Sequence, residues 1–223
     1  MEKVFLAHGL WMSGYVCASW KKAVSKAGMQ PVVFSYPSVR PRMDQNAERL
    51  FQTIQRHCSG ADTIHLVGHS MGGMVIMQML RRYGHEFAGP LDATLPQLGR
   101  VLLCGSPING SHVAGRINQW PALNRLLGRS ILDWYGIERG DLPAGLDIGV
   151  LAGTRKFGLG QVVRDLPQPS DGTVSVQETR LKGGETDFMQ MNVSHTELLF
   201  APSVNAQMIH FLQKGQFLHR SAA

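Results

Sequence analysis

One alternation of pattern repeats along the 223 residues of the chain. A run of about five or six residues, apolar and rich in β-branched side chains, gives way to a turn and then to apolar positions three and four apart. Runs apolar on both faces predict strands covered on both sides, and the spacing that follows predicts helices with one buried stripe. KVFLAH, residues 3–8, is the first such run. After it Val16, Trp20, Ala23, Val24 and Ala27 share a helical face, so a helix is predicted from Tyr15 to Lys26, stopped by Gly28. PVVFSY (31–36) is the second strand, followed by a helical face of Ala47, Leu50, Phe51, Ile54 and Cys58. DTIHLVG (62–68) is the third, and MVIMQMLRRY (74–83) after it is apolar nearly all round at its start, as a helix covered by its neighbours should be. RVLLCGS (100–106), DIGVLAG (147–153) and FMQMNVS (188–194) complete six strands, and Val204, Met208, Ile209 and Leu212 predict a last helix.

Strands alternating with helices imply an α/β fold with a doubly wound, mostly parallel six-stranded sheet. One domain is expected over residues 1–223, with 111–146 as a lid or cap insertion within it; 156–170 is a second irregular stretch. No internal repeat or low-complexity linker interrupts the pattern. With 43% hydrophobic and 17% charged residues, the chain has the composition of a globular domain rather than a disordered one. Its apolar runs stop short of a membrane span. Nothing resembling a signal peptide precedes KVFLAHG, so a cytoplasmic location is expected, with peripheral contact to a lipid surface. Cys17, Cys58 and Cys104 are too few and scattered for a disulfide framework and read as reduced core residues. The formal charge of +6 is spread along the chain without a basic run, so nucleic acid is not an expected partner.

Chemistry enters at HLVGHSMGGMVI, residues 65–76, where Gly68-His69-Ser70-Met71-Gly72 joins the third strand to the next helix. That context is the one a G-x-S-x-G nucleophile elbow demands. Glycine at the flanking positions lets backbones approach where a Cβ would clash. The serine is then forced into an unfavourable conformation costing about 1–3 kcal/mol, which exposes its Oγ at the positive end of a helix. The first strand ends in AHGLW, turning at the carboxyl edge of the sheet, where open α/β folds bind ligands. The N–H groups of Leu10 and Met71 are therefore the expected oxyanion donors.

Taken together, HGLW (8–11), GHSMGG (68–73), LLCGSPINGS (102–111), SDGTVSV (170–176) and VSH (193–195) resemble an α/β hydrolase, and within that superfamily the small bacterial lipases and esterases. The resemblance implies a Ser70, Asp171, His195 triad, in the family's chain order of serine, acid, histidine, cleaving carboxylic esters through an acyl-enzyme. Lipid or medium-chain acyl esters are the expected substrates. Thioesterase, amidase and acyltransferase chemistry would use the same residues, and a non-catalytic binding protein on this fold is the alternative of another class. For the acid, Asp165 and Asp187 remain open, whereas Asp147 begins a strand at the wrong end. Among the nine histidines, His65 lies within a strand, His57, His85, His210 and His219 fall on or after helices, and His112 sits in the insertion ahead of any candidate acid. No metal-ligand spacing and no phosphate-binding loop is present, so no cofactor is expected.

The pocket is expected to be lined by His8 and Trp11 after the first strand, by His69, and by the insertion. There Ile117, Trp120, Leu123, Leu127, Ile131 and Trp134 recur at steps of three and four, with Arg116, Arg125 and Arg129 between them and Pro121 interrupting the helical pattern. Such an apolar stripe suits a lid over an acyl chain, and equally a helix packed on the sheet. If it is a lid, truncating 111–146 should depress turnover of long-chain esters more than of acetate or butyrate esters. An equal loss on both would leave packing as its role.

Overall fold

The computed structural model describes residues 1–60, 62–88, 94–112, 115, 130, 133–134, 142–157, 166–181 and 184–219. All six predicted strands form: β1 (Glu2–Ala7), β2 (Gln30–Phe34), β3 (Thr63–His69), β4 (Gln97–Cys104), β5 (Ile148–Gly153) and β6 (Asp187–Met191). They make one sheet in the order β2-β1-β3-β4-β5-β6, every neighbouring pair parallel. The chain steps outward from β1 to β2 and then returns to the other side of β1 with β3. The switch point therefore lies between β1 and β3, whose following loops diverge at the carboxyl edge.

Side-chain alternation along the strands divides the core into two layers. Phe5 and Ala7 of β1 face α2 (Met43–His57) and α3 (Met71–Tyr83), packing with Leu50, Ile54, Ile76 and Leu80. Val4 and Leu6 face α1 (Ala18–Lys26) and, past the single turn α4 (Val176–Thr179), the last helix α5 (Pro202–Lys214), packing with Trp20, Val24, Met208 and Phe211. Every residue of α3 from Met71 to Leu80 is buried, so its methionines are core filler.

Local signals set the helix ends. Gln45 accepts from the Arg42 N–H at the start of α2, Pro202 opens α5, and Gly215 closes it at φ 76°. Two boundaries differ from the sequence pattern. The turn predicted as the start of α1 is a separate 3₁₀ segment, Gly14–Cys17, in which Tyr15 points to solvent while Cys17 is buried. β6 stops at Met191, where the Val193 N–H turns back onto the Met191 carbonyl instead of continuing the ladder.

Of the pocket residues expected in the insertion, Ile117, Trp120, Leu123 and Leu127 lie outside the described residues. Its described residues include an anchor on α2. Asn46 Nδ2 donates to Ser130 Oγ (3.0 Å), which donates to the Pro41 carbonyl (2.6 Å), and Asp133 pairs with Arg42 at 3.1 Å. Trp134 is buried, with the Arg81 guanidinium 5.3 Å over its ring. All three cysteines are free, and burial pushes the Cys17 thiol up to about 12 and the Cys58 thiol up to about 11. No helix among the described residues is long and apolar enough to cross a membrane.

Three histidines lie in this interior. His8 and His69 have no exposed surface and His65 has 2%, and burial lowers the pKa of each. His65 sits where the β3–β4 register shifts, its Nδ1 accepting from the Arg100 N–H at 2.9 Å. When a pKa is lower in the folded than in the unfolded chain, the unfolded chain binds more protons. That contribution is complete above the unfolded value of about 6.5 and is lost as pH falls from there toward the folded value. The melting temperature should therefore drop as pH is lowered through that window. The drop should be shallower in His65→Gln, which keeps an acceptor for Arg100; equal slopes in calorimetry would remove His65 from the acid-sensitive set.

Candidate active site

Ser70 occupies the corner between β3 and α3 with φ 52° and ψ −122°, a region that a residue with a Cβ enters only under strain. Close packing holds it there. A Cβ on Gly68 would stand 2.5 Å from Gly73 Cα, and one on Gly72 would stand 2.7 Å from the His8 carbonyl oxygen and closer still to that of Ala7. The first turn of α3 thus rests directly on the ends of β1 and β3. The Ser70 N–H donates to the Cys104 carbonyl (2.9 Å), tying the corner to β4 as well. Met71 begins α3, so its N–H is among those without a partner inside the helix.

Asp171 and His195 meet on the loops beyond β5 and β6. His195 Nδ1 lies 2.7 Å from Asp171 Oδ2, and the His195 N–H donates to the Asp171 carbonyl at 2.9 Å. Asp171 is 1% exposed. Burying a carboxylate is costly unless its lone pairs are occupied. Its other oxygen, Oδ1, accepts from the N–H groups of Thr173 (2.9 Å) and Val174 (2.7 Å), a turn completed by Gly172 at φ 91°. The SDGTVSV segment therefore makes the solvation shell of its own aspartate. Gly105, at φ 57° just after β4, leaves the pair room: a Cβ there would lie 3.1 Å from Asp171 Oδ2 and 3.2 Å from His195 Nδ1.

The ring of His69, the residue before the serine, lies 4.6 Å from that of His195, and His69 Nε2–H donates to the His195 carbonyl at 2.9 Å. A Cβ on Gly9 would be 3.0 Å from His69 Nδ1 and 3.2 Å from Ser70 Cβ, so the turn after β1 packs on the same corner. Tyr36 fixes that turn. Its hydroxyl donates to the His8 carbonyl (2.7 Å), its N–H donates to His8 Nε2 (3.2 Å), and the two rings stack at 4.4 Å. Leu10, partly buried, follows this braced turn. Trp11 takes φ 57°, donates its N–H to Ser38 Oγ (3.0 Å), and is half exposed.

The competing residues that the structure describes are placed elsewhere. Asp187 opens β6, at the amino edge of the sheet, where it accepts from the Phe217 N–H (2.6 Å) and pairs with His219 (2.8 Å). Asp147 pairs with Arg100 at the start of β5, and Asp165 lies outside the described residues. His57 and His210 turn to backbone carbonyls near their own helices.

A profile described as the alpha/beta hydrolase family matches residues 4–194. The chain belongs to the alpha/beta hydrolase family. Among individual proteins, it is 30% identical over 118 residues to a carbendazim hydrolyzing esterase of Nocardioides sp. (strain SG-4G). That match takes in 48% of each chain, so it spans about half the length of this relative. Of solved structures, the mature form of Bacillus licheniformis lipase BlEst2 superposes with a TM-score of 0.70 at 17% identity, over 96% of this chain and 91% of that one. Staphylococcus hyicus lipase gives 0.64 at 13% identity, over 92% and 90%. At such identities these two likenesses speak for the α/β-hydrolase fold alone.

For this member of the family, the bracing residues Tyr36 and Gly105 went unread in the sequence. A glycine directly after β4 was the available signal for the second; for Tyr36 there was none. The packing at the corner generates a prediction. Because the atoms facing Gly72 belong to backbone, Gly72→Ala should cost about 3 kcal/mol, the upper end for overpacking. At about 2–4 °C per kcal/mol for a domain of this size, the melting temperature should fall by roughly 6–12 °C. An unchanged melting temperature would contradict the close approach of α3 to β1.

Proposed function

We propose that the protein is a serine hydrolase of carboxylic esters, with Ser70 as nucleophile, His195 as general base and Asp171 as orienting acid. The observation that carries this reading is the buried Asp171–His195 hydrogen bond beside His69, the residue that precedes a serine in a strained strand-to-helix corner. His195 Nε2 takes the proton of Ser70 Oγ as the oxygen attacks the substrate carbonyl. Asp171, acceptor to Nδ1–H, holds the tautomer that leaves Nε2 free and stabilises the imidazolium that forms. The N–H groups of Leu10 and Met71 receive the developing oxyanion at the positive end of α3. His195 then returns its proton to the leaving alcohol, and a water activated by the same imidazole releases the acyl group.

Membership in the hydrolase family and the partial match to an esterase named for carbendazim hydrolysis support ester-type substrates. Medium-chain or lipid-like acyl groups are favoured by the apolar stripe of the insertion, with Trp11 half exposed beside the Leu10 turn.

Hydrolysis of p-nitrophenyl esters from acetate to palmitate, by the native protein and by Ser70→Ala, tests the reading. Turnover should vanish in the variant, and the chain-length optimum should fall beyond acetate. Turnover that survives Ser70→Ala would sink the assignment, and a folded protein that turns over no ester and forms no covalent adduct with an organophosphonate would be a binding module instead. Asp171→Asn should lower kcat on the order of 10⁴-fold, because it stabilises the wrong imidazole tautomer. Near-normal turnover there would shift the acid to Asp165.

A further inference from the structure

We infer that His69 is a positioning residue for the proposed triad: its Nε2–H clamps the backbone carbonyl of His195, so that one residue sets the distance between nucleophile and base. The inference rests on the assignment of Ser70 and His195 just proposed. It begins from a buried ring whose two nitrogens have unequal surroundings. Nε2 faces the His195 carbonyl at 2.9 Å, and a carbonyl only accepts, so the proton of a neutral imidazole belongs on Nε2. Nδ1 then carries the lone pair. Among the described residues it has no hydrogen-bond partner, and it faces the backbone of Gly9, in the turn that leads to Leu10. Burial first, and then the nearby His195 and His8 rings, hold the group well below the ordinary histidine pKa, so the ring stays neutral.

The consequence is mechanical. Ser70 follows His69 in a corner that packing makes rigid, whereas His195 sits on a loop after β6, reached by a separate path through the chain. Asp171 holds that loop from one side, through its carbonyl on the His195 N–H and its carboxylate on Nδ1. His69 holds it from the side of the serine. Trp20 closes the arrangement, its ring set edge-on at 6.4 Å to His69 and its indole N–H donating to the Leu198 carbonyl on the same loop. Removing the Nε2–H leaves the His195 carbonyl without this donor and frees the base to drift from Ser70. Displacements of about 1 Å at a reacting pair cost on the order of 10²-fold in rate.

The test compares His69→Leu, which fills part of the volume without a donor, with His69→Gln, which returns an N–H near the position of Nε2. Steady-state kinetics on p-nitrophenyl butyrate and melting curves are read for both. The expected result is a fall in kcat on the order of 10²-fold in the leucine variant with KM little changed, and recovery of most of it in the glutamine variant. A folded leucine variant with native kcat, or a glutamine variant no better than leucine, would overturn the clamp. Should both variants fail to fold, ¹⁵N-detected imidazole spectra of the unaltered protein decide. A neutral Nε2–H tautomer at His69 is expected, and an Nδ1–H tautomer would overturn the proposal. Failure of the underlying triad is separately visible as turnover that survives Ser70→Ala.

Discussion

The contact between the first turn of α3 and the ends of β1 and β3 is the constraint on which the rest of the site depends. It requires a close approach to backbone at Gly68 and Gly72, and it leaves Ser70 at the corner itself with a positive φ of 52°. Strain of that kind persists only when its surroundings over-determine it. Here they do so through the burial of α3 from Met71 to Leu80 and the hydrogen bond from the Ser70 N–H to β4. The corner is therefore stabilised by the core beneath it rather than by its own conformation.

From that fixed point the other parts are referred outward by hydrogen bonds and contacts. The turn after β1 rests on the corner at Gly9 and is braced from β2 through Tyr36 and His8. The loop after β6 is joined to it through His69, and the carboxylate of Asp171 is supplied with donor partners by its own turn and by His195. Four segments far apart in the chain converge on the carboxyl edge because parallel strands deliver all their outgoing loops to the same side. Gly105 and Gly153 matter for the same reason: a Cβ on the second would stand 2.7 Å from Asp171 Cβ, so both keep the sheet edge open for the acid.

The family relation agrees with this division of labour. A likeness covering more than nine-tenths of the chain survives at 17% identity, which fits a fold held by pattern and by a few close approaches rather than by particular core side chains. Histidine serves two ends within it. His8 and His69 are buried and held neutral inside the support of the site, while His195, the proposed base, keeps a small exposed surface, 8% of its maximum.

The sequence by itself determined the fold class, the six strands and the corner, because each is a local matter. Burial on both faces of a parallel strand writes a continuous apolar run, a helix writes its period, and an overcrowded turn can be made only with glycine. Ser70 stood out on the same grounds, since the elbow carries its geometry within a few residues, whereas Asp171 was named only through the family resemblance of its Asp-Gly segment, with Asp165 and Asp187 left open. Finer boundaries were not legible. The helix pattern from Tyr15 hides a 3₁₀ turn, and the apolar run to Ser194 outlasts the ladder of β6, because hydrogen bonding to a neighbouring strand leaves no mark on hydropathy. Only the tertiary structure decided which acid meets which histidine, since Asp171 and Asp187 are alike as residues and differ in the end of the sheet they occupy. It also decided that His69 faces the His195 carbonyl and that Tyr36 fixes His8. Those contacts span 126 and 28 residues of chain, and no periodicity or turn residue encodes a distance that only folding closes.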